Sequence, residues 1–176
     1  VLQAAADLLD RHRDEPLANN LDLLTEIRHE LGRTERLVDD LLTLARDDLG
    51  QLTLALGRVD LSALVAGIVR RASPLAAERG VELVHRADGL AVVVEGDPDR
   101  LEQAILVLVD NALAHSPSGG HVTVATGRER TEVVARVHDD GPGIAREELS
   151  RVFDRFYRGS HTRARREGAG LGLSIA

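Results

Sequence analysis

The chain has no cysteine, no methionine, no tryptophan and no lysine, and only three aromatic residues in 176. Without cysteine, disulfides, thiolate nucleophiles and zinc ribbons are excluded, and the redox compartment leaves no trace. Without lysine, all 22 positive charges are arginine, so a Schiff-base lysine or a phosphate-loop lysine is excluded too. The scarcity of aromatics removes a base-stacking platform and makes the core aliphatic. Tyr157, Phe153 and Phe156 all fall within five residues of one another, which points to a local role. No apolar run approaches the ~20 residues that span a bilayer; stretches such as Leu90 to Val94 are soon broken by charge. Val1 to Leu9 has no basic leader and contains Asp7, unlike a signal peptide. A membrane-anchored parent stays compatible with these facts, since a start at Val1 without methionine reads as a piece of something longer. Net charge is −7, which argues against a general nucleic-acid partner.

Hydrophobic residues make up 43% and charged residues 29%, ordinary for a folded chain. Two regions differ in period. Leu24, Ile27, Leu31, Thr34, Val38, Leu41 and Ala45 recur by three and four, a heptad seam that wants a partner helix. Val1 to about His12 reads as the tail of a preceding helix, broken at Arg13-Asp14-Glu15-Pro16, with Pro16 placed to open the next helix. The expectation for residues 1–50 is therefore part of a helical hairpin, half of a dimeric four-helix bundle. The alternative is a single amphipathic helix packed on its own domain.

Residues 51–176 mix strands with helices. Leu52 to Leu56 alternates as a strand, Leu61 to about Arg79 reads as a helix stopped by Gly80, and Val81 to Val84 and Ala91 to Val94 as short strands. A strongly apolar helix runs from Asp99 to about His115 behind Asp97-Pro98. Val122 to Ala125 and Val133 to Val137 flank a charged turn, a β-hairpin pattern. The fold class is α+β: the helical hairpin followed by an α/β sandwich.

Three segments carry chemistry. Asp139-Asp140-Gly141-Pro142-Gly143-Ile144 follows a strand; its glycines allow close backbone approach, and an acid beside them can accept a hydrogen bond from an amine. Gly168-Ala169-Gly170-Leu171-Gly172-Leu173-Ser174 opens a helix, where backbone N–H groups suit an anion. Asn111, near the end of the apolar helix, can offer a neutral oxygen to Mg²⁺. Each has a bland reading as well: an acidic turn, a flexible loop, a satisfied core amide.

Taken in chain order, Asn111, the Asp139 turn, Val152-Phe153-Asp154-Arg155-Phe156-Tyr157-Arg158-Gly159 and the glycine run resemble the N, G1, F and G2 boxes of sensor histidine kinases. Their ATP-binding domain belongs to the superfamily of gyrase, Hsp90 and MutL. Arg36 to Arg46 is similar to the second helix of the kinase dimerisation and phosphotransfer domain. The resemblance implies an ATP-binding domain in which Asp139 takes the adenine amine, Asn111 holds Mg²⁺, and Gly141 and Gly143 shape the base pocket. It places His115 on the adenine, and Gly168, Gly170, Leu171, Gly172 and Arg158 in the nucleotide contacts. Residues 159–167 would form a lid carrying Arg163, Arg165 and Arg166, with Phe153 and Phe156 holding its base against the core.

The family's phosphoacceptor box is expected upstream of Val1. His29-Glu30-Leu31-Gly32-Arg33-Thr34 imitates it but is rejected: Gly32 interrupts it, Glu35 stands where proline belongs, and the second-helix signature follows at once. The domain also looks shortened at Ala176, which would leave a sheet edge exposed. Two family positions are altered, Val107 for an asparagine and Ala114 for a basic residue. The implied partners are a second copy through the hairpin, or a separate acceptor chain if the kinase is split, and a response regulator. The implied location is cytoplasmic, with room for a parent anchored in the inner membrane. The alternative is a degenerate nucleotide-binding or dimerisation module without kinase activity. A chaperone-type or mismatch-repair ATPase is disfavoured by the kinase-like second helix and the aromatic cluster.

Overall fold

A computed structural model of the chain describes residues 21–51, 53–89, 92–159 and 170–175. The chain divides into two compact units, residues 1–50 and 51–176. In the first, helix α1 (Leu21–Asp48) is unbroken, so no turn separates the His29 segment from Arg36 to Arg46. The expected preceding helix, Val1 to His12, and Pro16 lie outside the described residues. On the seam, Leu31, Val38 and Leu41 are exposed. Thr34 bonds its hydroxyl back to the Glu30 carbonyl at 2.9 Å, which lets a polar residue sit in an apolar stripe. No helix among the described residues is long and apolar enough to cross a membrane.

The second unit carries strands β1 (Gly57–Asp60), β2 (Glu82–Ala87), β3 (Val93–Gly96), β4 (His121–Glu129) and β5 (Glu132–Asp139), with helices α2 (Leu61–Glu78), α3 (Pro98–His115) and α4 (Gly172–Ile175). The strands form two sheets: β1 antiparallel to β3, and β2-β4-β5 with β2 parallel and β5 antiparallel to β4. The predicted hairpin is β4-β5, turning at Arg130, whose φ is 53°. The predicted strand over Leu52 to Leu56 is corrected. Residues 53–56 are not in a strand, and pairing starts at Gly57 opposite Gly96. Leu54 and Leu56 are exposed, and the Ala55 N–H is spent on a side chain, Asp97 Oδ2 at 2.8 Å.

The core lies between the three-stranded sheet and α2 and α3. Leu61, Val65, Ile68, Ala72 and Ala76 recur by three and four along α2, Ile105, Val109, Ala112 and Leu113 do so along α3, and Val122 and Val124 come from the inner face of β4. Polar Thr126 joins that face because its hydroxyl is 3.0 Å from both Ser62 Oγ and His85 Nε2. Burial holds the His85 imidazole below its ordinary pKa.

Helix α3 owes its start to Asp97. One carboxylate oxygen caps the Asp99 and Arg100 N–H groups at 3.0 and 3.2 Å while the other takes the Ala55 N–H. The Ala55 bond, then the cap bonds, hold this carboxyl below the usual carboxylate range. Because its pKa is depressed in the fold, its stabilisation is present above the unfolded value of about 3.9 and is lost as pH falls through the folded one. Asp97→Ala is expected to lower Tm by about 3–6 °C at pH 7. The gap to the parent chain should narrow steadily in melts taken below about pH 4.

Candidate nucleotide-binding site

Strand β5 alternates, and Val133, Ala135 and Val137 pack on the core, so Asp139, two residues on, faces the same way. It pairs with fully buried Val122. Its Oδ1 accepts the Gly141 N–H at 2.9 Å. A Cβ on Gly141 would stand 2.5 Å from that same oxygen and 3.1 Å from the His115 carbonyl oxygen. Asp139, Gly141 and the last turn of α3 therefore close into one corner. The second Asp139 oxygen receives no hydrogen bond from a described residue, leaving an acceptor on the inner side. Gly143, at φ 70°, has open space where a Cβ would stand.

Asp140 points to the other face and is occupied. Its Oδ2 takes the His121 N–H at 2.9 Å and lies 3.0 Å from His121 Nδ1. The His121 side-chain bond, then the backbone bond, hold the Asp140 carboxyl below the usual range. This pair is not among the residues to which the motifs point. The available signal was strand period: two adjacent acids at a strand end must face opposite sides.

The other end of the site is built on the same helix. Asn111 is half-buried and makes no side-chain hydrogen bond to a described residue. One turn earlier, Val107 meets the glycine run: a Cβ on Gly172 would lie 3.1 Å from Val107 Cγ1. Leu171 is 1% exposed, which at full burial contributes about 2 kcal/mol to holding this segment down. Gly170 sits at φ 72°, where a Cβ would be 2.7 Å from the Tyr157 carbonyl oxygen and 2.8 Å from the Phe156 carbonyl carbon. Helix α3 thus touches the Asp139 corner at His115 and the glycine turn at Val107, eight residues or about 12 Å apart along the axis. Asn111 lies midway.

The structure does not bring all the expected residues together. Gly168 and the lid arginines Arg163, Arg165 and Arg166 lie outside the described residues. Arg158 lines an open depression of about 460 Å³ with Arg151, Asp154, Arg155, Phe156 and Tyr157; neither Asp139 nor Asn111 belongs to it. The Arg151 guanidinium carbon stands 4.5 Å from the Tyr157 ring centre. The expected packing role of the phenylalanines is corrected: Phe153 and Phe156 are 63% and 65% exposed. Phe156 has a φ of 62°, and its backbone carbonyl carbon and Cα are among the atoms nearest a Cβ on Gly170.

The arrangement places polar groups at two ends of one face of α3. Asp139 supplies an acceptor at a tight glycine corner, and the Gly170 to Gly172 turn supplies backbone donors at the far end. Among the described residues no three His, Asp or Glu side chains gather to hold a metal ion. A cation beside Asn111 would draw its other ligands from phosphate and water, the usual habit of Mg²⁺.

Residues 96–176 match the family of histidine kinase-, DNA gyrase B- and HSP90-like ATPases. The chain is 40% identical over 152 residues to the signal transduction histidine-protein kinase AfsQ2 of Streptomyces coelicolor, covering 84% of this chain and 26% of that protein. Among solved structures, the mycobacterial sensor histidine kinase MprB is similar at 30% identity and TM-score 0.57, over 68% of this chain and 74% of that one. Full-length ShkA, solved in complex with AMPPNP, is similar at 30% identity and TM-score 0.71, over 88% of this chain and 32% of that one. The chain spans between 26% and 42% of the length of the curated relatives it matches.

Proposed function

The chain belongs to the sensor histidine kinases, and from that premise we propose that residues 51–176 bind Mg²⁺-ATP and pass its γ-phosphoryl group to a histidine upstream of this chain or on another polypeptide, for relay to a response regulator. One observation carries the proposal: a single face of α3 carries Val107, Asn111 and His115, and its two ends meet the glycine turn and the Asp139 corner. The similar protein ShkA, solved with AMPPNP, supports the choice of nucleotide.

In this reading the unused Asp139 oxygen accepts the adenine amine, and Asp140 is disqualified because His121 occupies it. Gly141 lets the backbone approach the base, Gly143 turns the chain, and the His115 side chain flanks the ring. Asn111 offers its amide oxygen to Mg²⁺, which when bound would neutralise charge on the phosphates. Gly170, Leu171 and Gly172 donate N–H groups to phosphate oxygens, with Arg158 and the lid arginines adding positive charge. Excluding water and fixing the phosphates is most of what a protein contributes to such a transfer. The exposed α1 seam supplies a dimer contact with a second copy.

A second reading, a nucleotide-binding module that does not transfer phosphate, draws on Val107 and Ala114, neither of which can ligate a cation or neutralise phosphate. Transfer in trans separates the two. Incubated with radiolabelled ATP and an acceptor hairpin bearing the phosphoacceptor box, the chain is expected to label the hairpin with acid-labile phosphate and to stay unlabelled itself. Ala114→Arg should increase transfer. Label on His29 would contradict the account, and retained ATP binding with no transfer in either protein would favour the non-transferring module.

A further inference from the structure

Val107 is half-buried on α3 one turn before Asn111, and it is the residue against which the glycine turn rests. The would-be Cβ of Gly172 falls 3.1 Å from Val107 Cγ1 and 3.9 Å from Cγ2, so both branches of the valine face that backbone. A β-branched side chain in a helix holds essentially one rotamer, which makes it a stiff stop. In the same turn Gly170 stands against the backbone of Phe156 and Tyr157, and Leu171 is buried. A turn with a stiff side chain against Gly172 and rigid backbone against Gly170 has little freedom to shift, so the side chain at position 107 sets how closely it approaches α3.

We propose that Val107 is a positioning residue: its branched side chain seats Gly172 and thereby sets the distance between the glycine turn and Asn111, the spacing on which phosphate binding depends. The proposal rests on the nucleotide reading above and extends it, because it assigns an active geometric role to an apolar residue that touches neither metal nor phosphate. It also accounts for glycine at 172, where a methyl group would take the space the valine already fills. A change in this seat should act on the phosphate end of the nucleotide and leave the adenine end, about 12 Å away along α3, undisturbed.

Size compensation tests it. Gly172→Ala, Val107→Ala and the double variant are compared by melting without nucleotide and by calorimetric titration with ATP and with adenosine. Gly172→Ala is expected to lower Tm and to weaken ATP binding about 10-fold or more, with adenosine within about 2-fold. Adding Val107→Ala should return more than half of the lost Tm and bring ATP affinity to within about 3-fold of the parent. Should Gly172→Ala fail to fold, Val107→Ile, which lengthens the same stop, is expected to show the same ATP-selective loss. A double variant no better than Gly172→Ala, or equal losses for ATP and adenosine, would overturn the proposal. Coupled melting in a chain that binds no ATP would instead overturn the nucleotide reading and the positioning role with it, leaving only a packing contact. ATP binding in the parent with uncoupled variants would overturn the seat alone.

Discussion

Gly170→Ala is expected to release the 170–175 segment and to reduce ATP affinity at least about 30-fold, the largest effect of any single methyl group in the site. Two costs coincide there. Alanine at φ 72° costs about 1–2 kcal/mol from the left-handed backbone alone. Its Cβ would also stand 2.7 Å from the Tyr157 carbonyl oxygen and 2.8 Å from the Phe156 carbonyl carbon. Both neighbours are backbone, and Phe156 is already held at a positive φ, so neither can swing aside as a side-chain tip would. The turn has to lift, and it forfeits the burial of Leu171 when it does. Because the segment is a short appendage to the core, the loss is local. Hydrogen exchange at residues 171–174 should accelerate far more than Tm falls. Gly143→Ala is the matched comparison: a similar φ of 70° but open space around the Cβ, hence only the backbone cost.

Asp139→Asn is expected to weaken ATP, ADP and adenosine alike, by about 1–3 kcal/mol or roughly 5–150-fold. The Gly141 N–H needs an acceptor, so the asparagine keeps its oxygen there and turns its NH₂ to the position of the unused carboxylate oxygen. A donor then faces the adenine amine, itself a donor, and both are left unpaired. Equal losses across the three ligands identify the adenine end, since only that end is common to all. Asp140→Asn should do the opposite, loosening the start of β4 through His121 while leaving the three affinities in place. Calorimetric titrations of both variants read the contrast directly; unchanged affinities in Asp139→Asn would remove Asp139 from the site.

Much of this architecture is legible in the residues because the signals are redundant. Helix α3 has an apolar period, an aspartate cap and a proline at its first position, and all three agree with Pro98–His115. The β4-β5 hairpin combines alternation with a charged turn. The Leu52 to Leu56 alternation misleads for a definite reason: a strand needs a partner, and β3 pairs with Gly57–Asp60, leaving Leu54 and Leu56 before it at the surface. Aromatic character misleads at Phe153 and Phe156 in the same way, since apolar side chains need not be buried ones.

In the site, residue types and order point to Asp139 and Asn111, but their spacing in the chain says nothing about which oxygen is occupied. The hydrogen bonds of the fold show that Asp140 is spent on His121, while Asp139 gives one oxygen to Gly141 and keeps the other unbonded among the described residues. Val107 is the sharpest case. From the sequence it is a missing ligand, whereas in the fold it is the surface on which Gly172 rests.

Backbone amide NMR of the chain titrated with ATP in the presence of Mg²⁺ tests the central claim most directly, because it locates the nucleotide instead of inferring it from variants. The account predicts shifts concentrated at Gly141 and Gly143 and at Gly170, Leu171 and Gly172, with the Asn111 side-chain amide moving only when Mg²⁺ accompanies the nucleotide. Shifts confined to the open depression along residues 151–158, or no shift at either end of α3, would contradict it.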